Sequence, residues 1–323
     1  MEKYVFKTLE IYHIPEIASL LYNRQLEEIN DYPGLENDDF SMQNIQSSLI
    51  VLFTKNMVVG MGVYNQDVMV GYLFATIENS KRHGSMAWVP YQGMAIEGKQ
   101  TKDLIRILYA NASILWVEKG CFYHSVYIPL GNKRYKDAFL NLAFHIEQVN
   151  AVLDINKYDD MNGSSAIIVR EANENDCFLL GEMSTIITDY QTQSPVYLKM
   201  TPAMLKQRKK AFRNLVQEDD VIVLIAEENN VARGYFDFEY LSNGLMIPNR
   251  SIELTVGGVL SHYRGKGVGK TLMNQGVRLL KKKGFQYVMT DWKAANIAAS
   301  NFWPQCGFKP LAFRMVRVIK NKL

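Results

Sequence analysis

The chain is short of cysteine and histidine, and each shortage excludes a class of site. Its three cysteines, Cys121, Cys177 and Cys306, are widely spaced and odd in number. They predict neither a disulfide framework nor a cysteine metal site, and a reducing compartment suits them. None of the five histidines stands at metal-ligand spacing from another, so we expect no metal.

Segments that would direct the chain to a membrane are also missing. No apolar run approaches the ~20 residues needed to cross a bilayer. The N-terminal sequence MEKYVFKTLEIYHIPEIASLL lacks the basic-then-apolar pattern of a signal peptide. We therefore expect a cytoplasmic protein with no membrane partner.

The chain has no large excess of positive or of negative charge. The 323 residues include 36 Lys and Arg against 33 Asp and Glu, which gives a net charge of +3. A nucleic-acid partner would need a concentrated basic stripe. The densest basic run, 281–283, is typical of a helix C-terminus. We predict no nucleic-acid partner, and the length predicts two domains.

What the chain does contain is a set of short matches between its two halves. Three of them share a shift of 164 residues, and a fourth has a shift of 163. The matched pairs are Lys119-Gly120 with Lys283-Gly284, Asn132 with Asn296, Phe144 with Phe308, and Gly71-Tyr72 with Gly234-Tyr235. Their common order and spacing predict a diverged tandem repeat.

The repeat sets the domain boundaries. We predict a first domain at 1–153, a linker at 154–165 and a second domain at 166–323. The linker prediction rests on a polar stretch that contains Gly and Ser and has no periodicity.

Periodicity in the second half predicts the order β-α-β-β-β-α-β-α-β. The predicted segments are a hairpin at 221–226 and 231–240, a strand at 251–260, a helix at 267–283, a strand at 287–290, a helix at about 295–304 and a last strand near 313–319. A strand–helix–strand crossover is parallel and right-handed. The predicted fold class is therefore α/β, with a mixed, mostly antiparallel sheet flanked by helices in each copy.

The segment HYRGKGVGKTLM, residues 262–273, suggests a phosphate site at a strand-to-helix junction. A nucleoside-triphosphate loop would need glycine where Arg264 stands, and a dinucleotide loop would need glycine where Lys270 stands. The remaining pattern is Arg264-x-x-Gly267-x-Gly269. Glycines beside the free N–H groups of a helix's first turn predict a pyrophosphate site. The alternative is a tight turn that only needs glycine.

This loop, from Val259 to Gly269, resembles the acyl-coenzyme A loop of GNAT-type N-acetyltransferases, Arg/Gln-x-x-Gly-x-Gly/Ala. The segment from Asn296 to Phe308 resembles the family's second motif, an Asn, an aromatic pair and Gly-Phe. The resemblance covers about residues 166–319 and includes the strand order. It implies two tandem GNAT-like domains, with acetyl-CoA as the acyl donor for the second.

The same resemblance implies the cofactor-binding residues. The backbone of Val259 and Leu260 would pair with the pantetheine arm, and Asn296 would bond the cofactor near its pantetheine end. The loop residues would hold the pyrophosphate, namely Arg264, Gly265, Lys266, Gly267, Val268, Gly269 and Lys270.

Acetyl transfer to an amine needs a group that removes a proton. Glu253 stands six residues before Val259, which matches the catalytic glutamate of some family members. Strand alternation places its side chain on the face opposite Ile252 and Leu254. The alternative is a charged residue on an exposed sheet face.

Many family members carry a proton-donating Tyr near the departing sulfur, and this chain has Trp303 at that position. An indole N–H can donate a hydrogen bond but cannot deliver a proton at neutral pH. Tyr263 and Tyr287 are the other candidates, although each also suits a packing role. Water can protonate the coenzyme A thiolate as well.

The first copy lacks these features. The shift of 164 puts Gln100, Asp103 and Ile105 where the second copy has its Arg and two Gly, and puts Val89 where it has its Glu. A carboxylate and a bulky side chain would exclude the phosphates. We predict that this copy keeps the fold and neither binds acetyl-CoA tightly nor catalyses. This prediction follows the analogy of family members that have two tandem domains of which only one is active, such as those resembling mycothiol synthases.

The resemblance thus predicts an acyl-CoA-dependent N-acyltransferase, acting on a primary amine of a small molecule or peptide. In the family the first helices cover the acceptor, here at about 183–200. The candidates for contact with a cationic amine are Asp189, Tyr190, Asp237 and Glu239. One alternative is a non-catalytic acyl-CoA-binding or scaffold protein. Another is an aminoacyl transferase that uses charged tRNA, against which the near-neutral charge and the intact loop argue.

Overall fold

The computed structural model describes residues 4–80 and 82–320, and the chain divides into two compact units. Unit 1 consists of Met1–Val149, Asn243–Asn249 and Leu311–Leu323, and unit 2 of Asn150–Ser242 and Arg250–Pro310. Within the described ranges, no helix is long and apolar enough to cross a membrane.

The elements alternate between strands and helices along most of the chain. In chain order they are β1 (Val5–Thr8), α1 (Ile14–Asp31), α2 (Met42–Lys55), β2 (Val58–Asn65), β3 (Val68–Ser80), β4 (Gly84–Val89), β5 (Met94–Ile96), α3 (Lys102–Glu118), β6 (Tyr123–Pro129), α4 (Lys133–Asn141), β7 (His145–Asp154), β8 (Ile168–Glu171), α5 (Cys177–Met183), α6 (Ile186–Gln191), α7 (Pro202–Asn214), β9 (Val221–Glu228), β10 (Val231–Tyr240), β11 (Ser251–Val259), α8 (Val268–Lys282), β12 (Tyr287–Lys293), α9 (Ile297–Gln305) and β13 (Lys309–Val318).

Unit 1 is built on a mixed sheet with the strand order β1-β2-β3-β4-β6-β13. Strand β5 also pairs with β3, and β4 runs parallel to β6. Helix α3 buries an apolar stripe against this sheet, at residues spaced by three or four along the helix. Within that stripe Trp116 is fully buried, and its indole N–H donates to the carbonyl of Val59 at 2.8 Å.

Unit 2 contains the strand order β8-β9-β10-β11-β12. The first four strands are antiparallel, and β11 and β12 are parallel, so this sheet is mixed as predicted. Its apolar packing includes Phe212 of α7, whose ring lies 5.8 Å from that of Tyr235 on β10. Helix α8 buries Leu272, Val277 and Leu280, which recur at helical spacing.

The backbone confirms the tandem repeat at the positions that match in sequence. Gly120 and Gly284 each follow the last turn of a helix with a positive φ, 77° and 88°. Asn132 and Asn296 each cap the N-terminus of a short helix, α4 and α9, through the side-chain oxygen. The two halves therefore share local geometry as well as residue identity.

The segment predicted to be a linker makes several hydrogen bonds to α8. Asn274 exchanges hydrogen bonds with the backbone of Met161, and its Oδ1 also accepts from the Tyr158 hydroxyl at 2.7 Å. The Ser164 N–H donates to Oγ1 of Thr271 at 2.9 Å. Most residues of this stretch are exposed, and α8 offers polar side chains to those that contact it.

The last strand was predicted as part of the second sequence copy, but most of it lies in unit 1. Residues from Leu311 onward belong to unit 1, where β13 pairs antiparallel with β6 from Ala312–Pro129 to Val318–Tyr123. Compact units and sequence copies are thus different divisions of this chain. The ranges 1–153, 154–165 and 166–323 stay a prediction about the copies.

Candidate active site

The candidate site of unit 2 begins where two parallel strands diverge. Strands β11 and β12 pair from Ser251–Tyr287 to Leu254–Thr290. Both strands then continue past the last pair, and their ends line a cleft of about 760 Å³. A β-bulge in the pairing of β10 with β11 leaves Thr255 without a partner at this point, which bends β11.

A glycine loop closes one end of the cleft. Gly265 and Gly267 have φ values of 75° and 84°, a left-handed conformation that favours glycine. A Cβ on Gly265 would meet no atom within 4 Å, so the backbone there is open to a ligand.

Helix α8 begins directly after this loop. Its first backbone hydrogen bond runs from the Thr271 N–H to the Gly267 carbonyl. In the described part of the chain, the N–H groups of Val268, Gly269 and Lys270 find no backbone acceptor, and all three residues line the cleft. These donors form the positive end of a 15-residue helix and suit an anion.

Three cationic side chains line the same end of the cleft: Arg264, Lys266 and Lys270. The Nε of Arg264 donates to the Val259 carbonyl at 3.1 Å, and its guanidinium lies 4.8 Å from the ring centre of Tyr190. Cationic side chains beside free backbone N–H groups supply the positive charge and the hydrogen-bond donors that a pyrophosphate needs. The residues present therefore fit the phosphates of coenzyme A.

The two residues expected to pair with a pantetheine arm differ in the structure. Val259 lines the cleft, whereas Leu260 is absent from its lining. The Leu260 N–H donates to the Arg233 carbonyl at 2.9 Å, on the β10 side. Peptide groups alternate in direction along a strand. The Leu260 N–H therefore points away from the cleft, and the backbone N–H and carbonyl of Val259 point toward it.

Asn296 lines the cleft from the start of α9. Its Oδ1 accepts from the Ala299 N–H at 3.1 Å, which caps the helix. The cap fixes the side chain and leaves its Nδ2 as the group that can donate to a ligand.

Trp303 forms part of the cleft wall within an aromatic group. Its ring lies 4.9 Å from Phe302, 5.8 Å from Phe236 and 5.5 Å from Phe308. A Cβ on Gly257 would stand 3.1 Å from its Cη2 atom, so glycine lets β11 approach the indole. Trp303 is thus a tightly packed wall residue beside the bent part of β11.

The two tyrosines that could replace it as an acid lie in different places. Tyr263 lines the cleft, with the Arg233 guanidinium 4.2 Å from its ring centre. Tyr287 pairs with Ser251 at the far end of the parallel pairing and is absent from the lining.

Glu253 lies one residue before the last parallel pair, beside the divergence. The residue is half-buried, and burial, with the charges of Asp291 and Glu239, raises its pKa to about 7. A carboxylate with that pKa can accept and return a proton near neutral pH. Glu253 does not line the cleft itself, although Thr255 and Asp291 beside it do.

The predicted acceptor residues separate into two groups. Asp237 and Glu239 lie on β10, and Glu239 stands directly opposite Glu253. Burial raises the pKa of Asp237 to about 7, with a contribution from the Glu239 charge. Tyr190 lines the cleft, whereas Asp189 is exposed and absent from the lining.

Three charged residues that line the cleft, Arg208, Asp291 and Lys293, were missed at the sequence level. Asp291 follows the predicted end of β12, and the carboxyl end of a parallel strand is a signal that could have pointed to it. Arg208 lies on α7, far along the chain from the motifs, and no local pattern marks it.

Comparisons with known proteins agree with this geometry. Residues 185–308 match the profile of the Acetyltransferase (GNAT) family, whose members take an acetyl group from acetyl-CoA. A GCN5-related N-acetyltransferase from Sphaerobacter thermophilus resembles the chain with a TM-score of 0.60 and 12% identity, over 99% of this chain and 97% of that one. No curated protein sequence matches the chain.

A second solved structure bears on the tandem arrangement. A tandem GNAT protein from the clavulanic acid biosynthesis pathway resembles the chain with a TM-score of 0.55 and 12% identity, over 99% of this chain and 100% of that one. The predicted resemblance and the predicted α/β tandem fold are confirmed. Residues 185–308 match the GNAT family, and the fold of the whole chain is similar to that of tandem GNAT proteins.

Proposed function

We propose that the chain is an N-acetyltransferase that moves an acetyl group from acetyl-CoA to a primary amine of a small molecule or peptide. The observation that carries the proposal is the cleft between the diverging ends of β11 and β12, closed by the glycine loop. Unpaired strand edges, free helix N–H groups and cations meet there and match the successive parts of coenzyme A.

Each part of the cofactor has its own residues. The first turn of α8, with Arg264, Lys266 and Lys270, holds the pyrophosphate. The N–H of Val259, whose carbonyl accepts from Arg264, donates to the pantetheine arm, and Asn296 donates through Nδ2. The thioester then reaches the bent part of β11, near Thr255 and Trp303.

Glu253 is the proposed base. It removes a proton from the acceptor ammonium, directly or through a water molecule, so that the amine nitrogen can attack the thioester carbonyl carbon. A C–N bond forms, the C–S bond breaks, the sulfur leaves as thiolate, and the nitrogen loses its remaining extra proton to water. The raised pKa of Glu253 brings it close to the operating pH, where a general base is most effective.

Protonation of the leaving sulfur is assigned to water or to Tyr263, which lines the cleft. Trp303 keeps a part in shaping the wall where the thioester lies. Its indole has no proton to give at neutral pH.

The proposal is tested by thiol release from acetyl-CoA across a panel of primary amines. Gly265→Asp and Gly265→Asn form a matched pair, because both side chains tolerate a positive φ and find open space at this position. We expect the Asp variant to weaken acetyl-CoA binding at least ~10-fold relative to Asn, since only Asp sets a negative charge against the phosphates.

Gly267 is a poorer choice for this test. A Cβ there would stand 3.0 Å from the Ser164 nitrogen and 3.1 Å from the Gly163 carbonyl carbon, so any substitution disturbs the segment packed on α8. Acetyl-CoA binding without turnover of any amine would support a binding or scaffold protein instead. Absence of binding would contradict the transferase proposal.

A further inference from the structure

The polar segment 158–164, here termed the strap, lies along the N-terminal half of α8. Oδ1 of Asn274 accepts from the Tyr158 hydroxyl at 2.7 Å and from the Met161 N–H at 3.0 Å. Nδ2 of the same side chain donates to the Met161 carbonyl at 2.8 Å. These hydrogen bonds fix the strap on the helix, although 113 residues separate Met161 from Asn274 in the chain.

Thr271 joins the strap to the glycine loop. Its Oγ1 accepts from the Ser164 N–H at 2.9 Å and donates to the Gly267 carbonyl at 3.1 Å. The Gly267 carbonyl also accepts the first backbone hydrogen bond of α8. A threonine in a helix can donate to the carbonyl four residues before it, but here the same hydroxyl also accepts from a segment outside the helix. The strap is therefore tied to the residue at which the loop becomes the helix.

The strap also packs against the loop at two glycines. A Cβ on Gly163 would stand 2.6 Å from Oγ1 of Thr271, and a Cβ on Gly267 would stand 3.0 Å from the Ser164 nitrogen. The absence of a Cβ at both positions lets the two backbones come this close. A shift of the strap would therefore move the backbone of the loop that closes the cleft.

Two strap residues, Asn162 and Gly163, line the cleft together with the loop, and both are exposed. Within residues 4–80 and 82–320, the Asn162 side chain and the N–H groups of both residues have no hydrogen-bond partner in the protein. An amide side chain and free N–H groups can donate to phosphate oxygens. A segment that only joined two copies of a fold would need neither these donors in the cleft nor the bonds to α8.

We propose that the strap is part of the acetyl-CoA site, in which Thr271 positions the glycine loop for the pyrophosphate and Asn162 contacts the phosphates directly. The inference rests on the proposed function, and within it the strap acts on cofactor affinity. A loop that is fixed before the cofactor arrives loses less conformational freedom on binding. The strap contacts α8 and the glycine loop, so acetyl transfer at the strand divergence does not depend on it once the cofactor is bound.

The first test removes the Thr271 hydroxyl. Thr271→Val keeps the shape of the side chain and Thr271→Ser keeps the hydroxyl, so the two variants form a matched pair. We expect Thr271→Val to raise the acetyl-CoA Kd, measured by calorimetry, about 10-fold, because the strap and the loop lose their common hydrogen-bond partner. The KM for acetyl-CoA should rise by the same factor, while kcat at saturating acetyl-CoA stays within about twofold. Thr271→Ser should bind like the unsubstituted protein.

The second test adds a charge to the strap. Asn162→Asp has nearly the same shape and sets a carboxylate toward the phosphates, so we expect it to raise the acetyl-CoA Kd at least ~10-fold. Asn156→Asp is the matched control, because it makes the same change in the same polar stretch, at an exposed residue that does not line the cleft. Its Kd should equal that of the unsubstituted protein.

The outcomes separate the strap from the function on which it rests. A Kd that Thr271→Val leaves unchanged would overturn the positioning role, and one that Asn162→Asp leaves unchanged would overturn the direct contact. Either result leaves the acetyltransferase standing. The expected changes in Kd, without acetylation of any amine, would support the strap as part of the cofactor site and contradict the proposed function itself.

Discussion

Each unit contains a pair of parallel strands that diverge. The space beyond the divergence is occupied by the protein's own side chains in unit 1 and is an open cleft in unit 2. In unit 1, β4 pairs in parallel with β6 from Met86 to Val89, and the chain then pairs as β5 with β3. In unit 2, the parallel pairing of β11 with β12 ends at Leu254, and the strand ends line an open cleft. The difference lies in what satisfies the backbone groups beyond the divergence.

In unit 1 those groups are bonded by side chains of the unit itself. The Nη1 of Arg24 donates to the Tyr91 carbonyl at 3.0 Å and also to the Met94 carbonyl. The Tyr135 hydroxyl accepts from the Ile96 N–H at 3.2 Å. The Arg24 guanidinium lies 4.6 and 4.3 Å from the ring centres of Tyr91 and Tyr135 and is 2% exposed.

The position of unit 2 that matches Tyr135 is occupied by a small residue. The repeat shift of 164 residues pairs Tyr135 with Ala299, which lines the cleft. A copy of this fold can therefore lose its ligand and keep its sheet, provided that its own side chains bond the exposed backbone groups. On this account unit 1 is a closed version of the cleft that unit 2 keeps open.

The largest effect is expected at the base. Unit 1 has Val89 where unit 2 has Glu253, and Glu253→Gln should lower kcat/KM by ~10²–10⁴-fold. The variant keeps the shape of the side chain and removes only its ability to take a proton. Steady-state kinetics measures the loss, and calorimetry should give an acetyl-CoA Kd close to that of the unsubstituted protein. A kcat/KM within a few-fold of that protein would remove Glu253 from the mechanism.

A second substitution brings the unit 1 side chain into unit 2. Ala299→Tyr should weaken acetyl-CoA binding by ~10- to 100-fold, which matches the 1–3 kcal/mol typical of overpacking. Ala299→Ser is the matched control, because it adds one atom and no ring. Calorimetric titration of both variants decides the point, with melting curves to show that they are folded. Equal affinities would mean that closure by an aromatic ring does not distinguish the units.

The pH profile gives a smaller effect with a definite sign. The pKa of Glu253 is raised to about 7, and the base acts only when ionised, so activity is lost as the pH falls. We expect kcat/KM to reach a plateau above pH ~7 and to fall about tenfold per pH unit below it. The profile of Glu253→Gln should lack this step. A step centred near pH 4.5 would show that burial does not act on this carboxyl.

The smallest effect concerns the closed cleft of unit 1. Tyr135→Phe removes the acceptor for the Ile96 N–H and should destabilise the protein by ~1 kcal/mol. Tyr12→Phe, at a side chain that is 72% exposed, is the control and should be neutral. Urea unfolding of both variants measures the difference. An unchanged stability would mean that the Tyr135 hydroxyl does not support the sheet.

Sequence patterns predicted the parts of this account that depend on local order. The predictions for the loop from Arg264 to Lys270 and for Asn296 rest on residues close together in the chain, and all of these residues line one cleft. Strand and helix periods in unit 2 are likewise local, and most predicted boundaries lie within a few residues of those observed.

Features that depend on distant residues were not predictable in this way. The contacts of Arg24 and Tyr135 join a helix, a turn and a strand that are tens of residues apart in the chain. The direction of the Leu260 N–H depends on its register with β10, and the position of Arg208 in the cleft depends on the packing of α7. Each of these is a property of tertiary packing, which local propensity does not encode.

In this tandem chain, unit 2 is proposed to bind acetyl-CoA, whereas the corresponding part of unit 1 is closed by its own side chains. Calorimetric titration of the full chain with acetyl-CoA tests it most directly. We expect one site per chain, weakened by ~10- to 100-fold in Ala299→Tyr and unchanged in Ala299→Ser. Two sites per chain, or one site whose affinity Ala299→Tyr leaves unchanged, would show that this distinction between the units is wrong.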